Sequence, residues 1–382
     1  MDNQLTEKYT KDYRQTSDDL ADQLVLDLYK TMSPKEVGQL FRDYINDLDE
    51  LQYENMPNCL RIYFESNQAL PSWKNDKKIK VVEELFLEIG HAYSACLLCC
   101  ALPVGYTSKN VVKVLTSTGY LSKDSKAGTA KRLLETTQFV FNVMSENALD
   151  VNALGTKHVL KVRFIHAMIR YHLQKHGWDD LTYGIPINQE DMAATILTFS
   201  VGGIKGLDRI NINLTKEEKD AMVHFWALIG HLIGVDANLN PREYEEAEKL
   251  YEQILQNQAE KTTDGEMLTR ALSNFIQGFL QVNVIPFFPD YLIRNLINND
   301  EYSDMIGLKK IEKNKDKLLF KIFIKYLRFL NKYRKFSLVK RLIKPANKQL
   351  SVKMIAYFDT EFDLKLHIPI QIEKAWGLRV EG

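Results

Sequence analysis

Apolar residues recur at spacings of three and four through most of this 382-residue chain, and strict alternation is nearly absent. A helix repeats every 3.6 residues and a strand every two, so the pattern builds helices and leaves little from which strands could pair. Only Lys365-Leu366-His367-Ile368-Pro369-Ile370 alternates well enough to suggest a strand. The start signals agree. Ser33-Pro34-Lys35-Glu36 is a capping box with proline at the first helical position, and Asn240-Pro241-Arg242-Glu243 repeats that logic. Thr215 with Glu218 gives a third box. The expected fold is all-α, a single large helical domain with helical terminal extensions. The expected boundaries are an acidic amphipathic extension over 1–60, a continuous apolar body over 61–285 and a basic helical extension over 286–382.

Formal net charge is zero, which argues against a general nucleic-acid binder. The longest uncharged apolar stretch, Ala92 to Tyr106, is too short to span a bilayer and carries Pro103. The N-terminus is polar and of mixed charge, unlike a secretory signal, so a cytoplasmic location is expected. Of the cysteines, Cys96, Cys99 and Cys100 lie together in an apolar helical run, with Cys59 apart. Cys96 and Cys99 have Cys-x-x-Cys spacing but lack the second ligand pair that zinc needs, so they read as core packing.

Between Lys309 and Lys348 fifteen Lys or Arg face only Glu312 and Asp316, with aromatics interleaved. The ordinary reading is a packed helix with a solvated basic face. The second is peripheral contact with an anionic membrane through 309–348.

The informative segment runs from His158 to Leu173. Projected as a helix, Val159, Val162, Ile169 and Leu173 fall within about 60° of His166, which places that imidazole inside an apolar stripe. Burial there favours the neutral ring, whose free lone pair suits a transition metal. Arg163 and Arg170 lie on one flank of the stripe, where they could meet the carboxylates of a cofactor such as haem b. From this helix alone, a packed core histidine with two surface arginines is the ordinary reading. Among the other histidines, Glu88-Ile-Gly-His91 has a di-iron-like spacing without its required second copy, and His172 with His176 lies near a helix end.

The preceding helix, Lys131 to Met144, mixes Arg132, Thr136, Phe139 and Val143 on one face, with Glu135 at its edge. Buried polar groups need partners. An interhelical hydrogen bond would satisfy them, as would a cofactor lying above.

The two segments together resemble the catalytic domain shared by bacterial latex-clearing proteins (rubber oxygenases) and the ER-bound oxygenases of mycophenolic acid biosynthesis. That family's pattern is an arginine, a threonine four residues on, and some thirty residues later a histidine that ligates haem b. Here these are Arg132, Thr136 and His166. Ala101-Leu-Pro-Val-Gly-Tyr106, Thr118-Gly-Tyr120, Gly184-Ile-Pro-Ile-Asn-Gln-Glu-Asp-Met192 and Trp226, Gly230, Gly234-Val-Asp236 with Pro241 extend the likeness in order over roughly residues 60–285.

The resemblance implies globin-related packing around haem b and its iron, held by His166, with Arg132 and Thr136 supporting the pocket. It also implies oxygenase activity with dioxygen on a lipophilic small-molecule substrate, and Arg132, Glu135 and Thr136 are the catalytic candidates. Arg163 and Arg170 are the propionate candidates by helix projection. Two departures stand out. Rubber oxygenases carry a lysine three residues after the arginine, where this chain has Glu135, and they carry an upstream glutamate where Thr116 to Thr118 offer no acid. With no secretory signal in view either, the expected substrate is a small intracellular lipophile rather than rubber. Two further readings are a non-catalytic haem sensor or carrier, and a helical peripheral membrane or interaction protein without cofactor. Oligomeric state is not legible.

Overall fold

The computed structural model describes residues 11–46, 56–117, 126–280 and 287–310, with scattered positions beyond (317, 318, 320–322, 324, 325, 329 and 359). The 365–370 strand candidate, Thr118-Gly-Tyr120 and most of the basic run lie outside the described residues. Among the described residues there is no strand, only one isolated bridge between Ser108 and Ala259. The all-α expectation holds.

A short 3-10 arm, Lys11–Gln15, leads into α1 (Asp19–Thr31), α2 (Pro34–Asn46) and α3 (Asn58–Ser66). There follow α4 (Asp76–Cys96), a π turn at Leu97–Ala101, α5 (Leu102–Gly105), α6 (Lys109–Ser117), α7 (Lys126–Val143) and α8 (Leu154–Lys175). The second half has α9 (Asp180–Tyr183), α10 (Gln189–Leu197), a π turn at Thr198–Gly202, α11 (Gly203–Arg209) and α12 (Lys216–Ile233). It ends with α13 (Tyr244–Gln258), α14 (Thr263–Leu280), α15 (Phe288–Ile297) and α16 (Asp300–Met305).

The capping boxes at Ser33/Glu36 and Thr215/Glu218 both form. The Asn240 box does not. Asn240 lies against Gly230 of α12 and donates through Nδ2 to the Ala227 carbonyl, so its side chain ties a loop to α12 instead of starting a helix. The next helix begins at Tyr244, whose backbone N–H is taken by Asp220 Oδ1 at 2.9 Å.

α12 is apolar nearly all round and forms the axis of the main core, with α4 packed along it. Its C-terminus turns at Gly234, with φ of +92°, a conformation that favours glycine. α8 has two buried faces. Val159 joins the main core, while Leu160, Phe164, Ala167 and Met168 form a second cluster with Leu24, Leu28, Leu60 and Phe64 from α1 and α3. The N-terminal helices therefore cover α8 from one side.

α4, its π turn and α5 make one continuous helix over Asp76–Gly105, extending well before the apolar stretch at Ala92. It is the one described helix long and apolar enough to cross a membrane by length and composition, and half of its most apolar window is buried in the fold. Its π turn packs against the π turn after α10. Close approach is possible because Gly203 and Gly206 face it: a Cβ on Gly203 would lie 2.5 Å from Tyr93, and one on Gly206 would lie 2.7 Å from Cys96 Cβ. Cys96, Cys99 and Cys100 are buried free thiols here, as packing residues should be.

A π turn leaves backbone groups without their usual helical partners. Tyr93 Oη donates to the Phe199 carbonyl at 2.6 Å across this junction. Replacing Tyr93 by phenylalanine is expected to strand that carbonyl and cost about 1–3 kcal/mol. Urea unfolding should show a lower midpoint with an unchanged slope, and an unchanged midpoint would remove this role for the hydroxyl.

Candidate cofactor site

α7 and α8 are registered by a buried polar chain. Gln138 Nε2 donates to Asn142 Oδ1 at 2.8 Å, and Asn142 Nδ2 lies 2.9 Å from His158 Nδ1. Burial, with a contribution from Lys161, holds His158 down to about 4, so the ring is neutral and serves as a hydrogen-bonding group. Phe139 meets the edge of His158 at 5.7 Å, and Phe139 also packs towards Trp226 and Phe199, which stack at 4.7 Å. This chain fixes which residues of α7 stand beside which residues of α8.

His166 lies on α8 two turns beyond His158. Its surroundings desolvate it fully, and with Arg170 and Arg132 nearby its pKa is pushed down to about 3. The residue nevertheless retains partial accessible surface, as do Val162 and Ile169 on the same stripe. A desolvated ring on a residue that keeps some accessible surface lies close beneath the surface of α8. Its Nδ1 is buried without a hydrogen-bond partner. A neutral imidazole with a buried, unpartnered nitrogen is an energetic cost that needs an explanation, and an unfilled acceptor or ligand role supplies one.

The polar face of α7 is partly accessible at the same level. Thr136 Oγ1 donates to the Arg132 carbonyl of its own helix at 3.0 Å, and Arg132 Nη1 lies 3.7 Å from the Glu135 carboxylate. The Arg132 charge is felt both at His166 and at Tyr106, the buried tyrosine after α5, so the guanidinium lies within electrostatic reach of both. Thr116 on α6 has no acid beside it in sequence. Its Oγ1 donates to Asp264 Oδ2 of α14 at 3.1 Å, so a carboxylate reaches it from a distant element.

The two flanking arginines are used differently from a free propionate pair. Arg163 binds Asp18 in a fork, Nε to Oδ2 at 2.6 Å and Nη2 to Oδ1 at 2.7 Å, while its Nη1 donates to the Leu232 carbonyl at 3.2 Å. All three of its nitrogens are engaged. Arg170 donates from Nε to Asp22 at 2.7 Å and from Nη1 to the Ile187 carbonyl at 3.0 Å, and its Nη2 is buried with no acceptor. Of the two, Arg170 retains a donor for an incoming anion.

The remaining histidines serve elsewhere. His172 and His176 pack ring against ring, tilted by 35° with centroids 4.1 Å apart, near the end of α8. His224 Nε2 accepts the Asn75 backbone N–H at 3.1 Å, at the start of α4. No group of three His, Cys, Asp or Glu able to hold a metal occurs among the described residues, so neither a di-iron nor a zinc reading gains support. A tight apolar recess between α4 and α12, lined by Phe86, Ile89, Met144 and Met222, lacks any charged group and is packing.

A family model described as "ER-bound oxygenase mpaB/B'/Rubber oxygenase, catalytic domain" matches residues 91–329, well over half of the chain. The chain belongs to this family. Among curated proteins it is similar to the rubber oxygenase of Streptomyces sp. (strain K30), at 24% identity over 267 residues. That match covers 67% of this chain and 62% of the relative. Among solved structures it is similar to the latex clearing protein LCP in the closed state, with a TM-score of 0.69, 19% identity and 91% of each chain covered. At that identity the likeness speaks for the fold alone. Arg132, Glu135, Thr136, Arg163, His166 and Arg170 all lie inside the segment matched by the rubber oxygenase family model, whereas Asp18 and Asp22 lie before it.

Residue pattern singled out His166, Arg132 and Thr136, which the fold carries on two helices packed against each other. It missed Asp18, Asp22 and the Gln138–Asn142–His158 chain. His158 was visible as a histidine at the start of α8, but its partner lies 16 positions away on another helix.

Proposed function

We propose that this protein is a haem-b-dependent oxygenase that acts with dioxygen on an apolar small molecule, with His166 as the iron ligand. The observation that carries the reading is the neutral, enclosed His166 ring with an unpartnered nitrogen, sharing its surroundings with Arg132 on the adjacent helix. Haem b, when bound, supplies an iron able to bind and activate dioxygen. The fit rests on the chain's own groups. His166 offers a lone pair without first losing a proton at neutral pH. Arg170 Nη2 and the partly exposed Arg132 offer cationic donors to the cofactor's carboxylates.

Val162 and Ile169 supply an apolar wall that excludes water and suits a lipophilic substrate. Thr136 Oγ1 and the Glu135 carboxylate are the polar groups able to hold or pass a proton on the α7 side. We read residues 61–285 as the cofactor-binding body, with 1–60 and 286–382 as extensions to it.

The test is a visible spectrum of the protein expressed with added haem precursor. Wild type is expected to show a Soret band, and His166→Ala is expected to lose it while retaining wild-type helicity by far-UV circular dichroism. Dioxygen uptake in the presence of unsaturated lipophiles separates an oxygenase from a sensor or carrier, which would give the spectrum without the uptake. A colourless wild type sinks the reading.

A further inference from the structure

The two arginines on α8 share one destination. Arg163 stands three residues before His166 and Arg170 four residues after it, and both reach the same N-terminal element. Asp18 is the N-cap of α1 and takes Arg163, while Asp22, one turn further along α1, takes Arg170. Asp18 is 4% exposed and the Arg170 side chain 1%, so these are largely desolvated pairs.

The arm is fastened on its other side as well. Ile185 N donates to the Arg14 carbonyl at 2.9 Å and Gln189 N to the Thr16 carbonyl at 2.9 Å. Gln189 Nε2 donates to the Ser17 and Gly234 carbonyls at 2.9 and 3.0 Å. Gly234 has no room for a side chain because a Cβ there would lie 2.6 Å from Asp18 Oδ2 and 2.7 Å from Arg163 Nε.

Apolar contact between α1 and α8 already holds the helices together, through the cluster that contains Leu24, Leu28, Phe164 and Met168. Buried ion pairs add little net stability beyond such contact, but they are directional, and a guanidinium fork fixes both distance and angle. Here the fixed points lie about one turn to either side of a single imidazole. They also fix the Arg170 guanidinium so that Nη2 is the one nitrogen left over.

We propose that the N-terminal segment 11–31, the arm together with α1, is a positioning clasp for His166. Asp18 and Asp22 are positioning residues that act through Arg163 and Arg170 to set the orientation of the imidazole and the retention of the cofactor. This rests on the reading of His166 as the iron ligand.

The experiment uses the full chain titrated with haemin. It compares wild type with Asp18→Asn, Asp22→Asn, Asp22→Glu, Arg170→Lys and His166→Ala. Three quantities are followed: the Soret and reduced visible spectra, the rate of haem transfer to excess apomyoglobin, and the melting temperature of the haem-free proteins.

Outer partners of metal ligands are worth roughly 10–100-fold in affinity, so Asp22→Asn should release haem faster by about that factor, with a shifted Soret maximum. Asp22→Glu should restore retention in large part. Asp18→Asn, which leaves Arg163 without its carboxylate, should behave like Asp22→Asn, and it carries the test if Asp22→Asn does not fold; Arg170→Lys, which also removes the Nη2 donor, should release haem at least as fast. A merely structural pair would lower the melting temperature without moving the spectrum or release rate. That outcome overturns the clasp while leaving the iron ligand intact, provided His166→Ala has lost haem. If wild type and His166→Ala bind haemin alike, the ligand reading fails and the clasp fails with it.

Discussion

Lowering the pH from 6 to 4.5 is expected to remove about 4 kcal/mol of folding free energy from the haem-free protein. The cause is a set of enclosed histidines. Burial holds His91 and His158 down to about 4 and His166 down to about 3, against an ordinary value of 6.5. Between those limits the unfolded chain binds protons that the folded chain refuses. Each such group contributes stability that is present above 6.5 and lost as the pH falls, at about 1.4 kcal/mol per pH unit.

One group works the other way. Asp191, buried beside Glu190, is held up to about 7 from an ordinary 3.8 and keeps a proton in the folded state that the unfolded state has released. Its contribution is lost as the pH rises through 7, so it offsets one histidine over the acid range. Over these four groups the balance is two protons, with the half-buried His224, also held down to about 4, adding to the loss, which is a large share of the ~5–15 kcal/mol typical of a folded domain. Circular dichroism at 222 nm should place the acid midpoint between pH 4 and 5.5, and calorimetry should show stability rising through pH 6. His158→Gln should flatten the dependence by about one proton. Stability that stays level between pH 4.5 and 6.5 would contradict the account.

The second large effect is expected at Gly155, in the first turn of α8. A Cβ there would lie 2.5 Å from the Ala148 carbonyl oxygen, 2.8 Å from the Asn142 carbonyl oxygen and 2.9 Å from Ala148 Cβ. Two of the three obstacles are backbone, and the Ala148 oxygen is already the acceptor for Thr156 N at 2.9 Å. No rotamer change can relieve the clash, so α8 must move away from the end of α7. Gly155→Ala is therefore expected to cost about 3 kcal/mol or more, at the upper end of overpacking effects. The displacement also acts where Asn142 meets His158, so haem retention should fall with stability. Gly105→Ala is the control, because its added methyl meets nothing within 4 Å. A melting temperature for Gly155→Ala within a degree or two of wild type would show that the junction yields easily.

Local periodicity carried the reading of this sequence a long way. It identified the helices, two working capping boxes, the cysteines as packing and the apolar stripe around His166, because each depends on residues within a turn or two of one another. The polar face of α7 was legible for the same reason. What stayed hidden depends on pairs far apart in the chain. Arg163 was assigned to a cofactor's carboxylates from its place on a helix wheel, yet its acceptor is Asp18, 145 residues earlier. Asn240 carries a cap's sequence, but the Ala227 carbonyl offered a better partner than the next helix. The π turns are equally silent, since an extra residue in a helical turn leaves apolar spacing almost unchanged.

Those two widened turns have a consequence for how such a chain can vary. Each accommodates the other, with Tyr93 bridging the junction and Gly203 and Gly206 giving it room. Deleting one residue from either run would take out the extra residue that the wide turn absorbs, leaving the downstream faces in register while the turn itself tightens. The tightened turn would withdraw from its partner, and the contacts at Tyr93, Gly203 and Gly206 would lose their fit. The irregularities should thus be inherited as a couple, with relatives keeping both or neither, and a shortening on one side tolerated only alongside a matching one on the other.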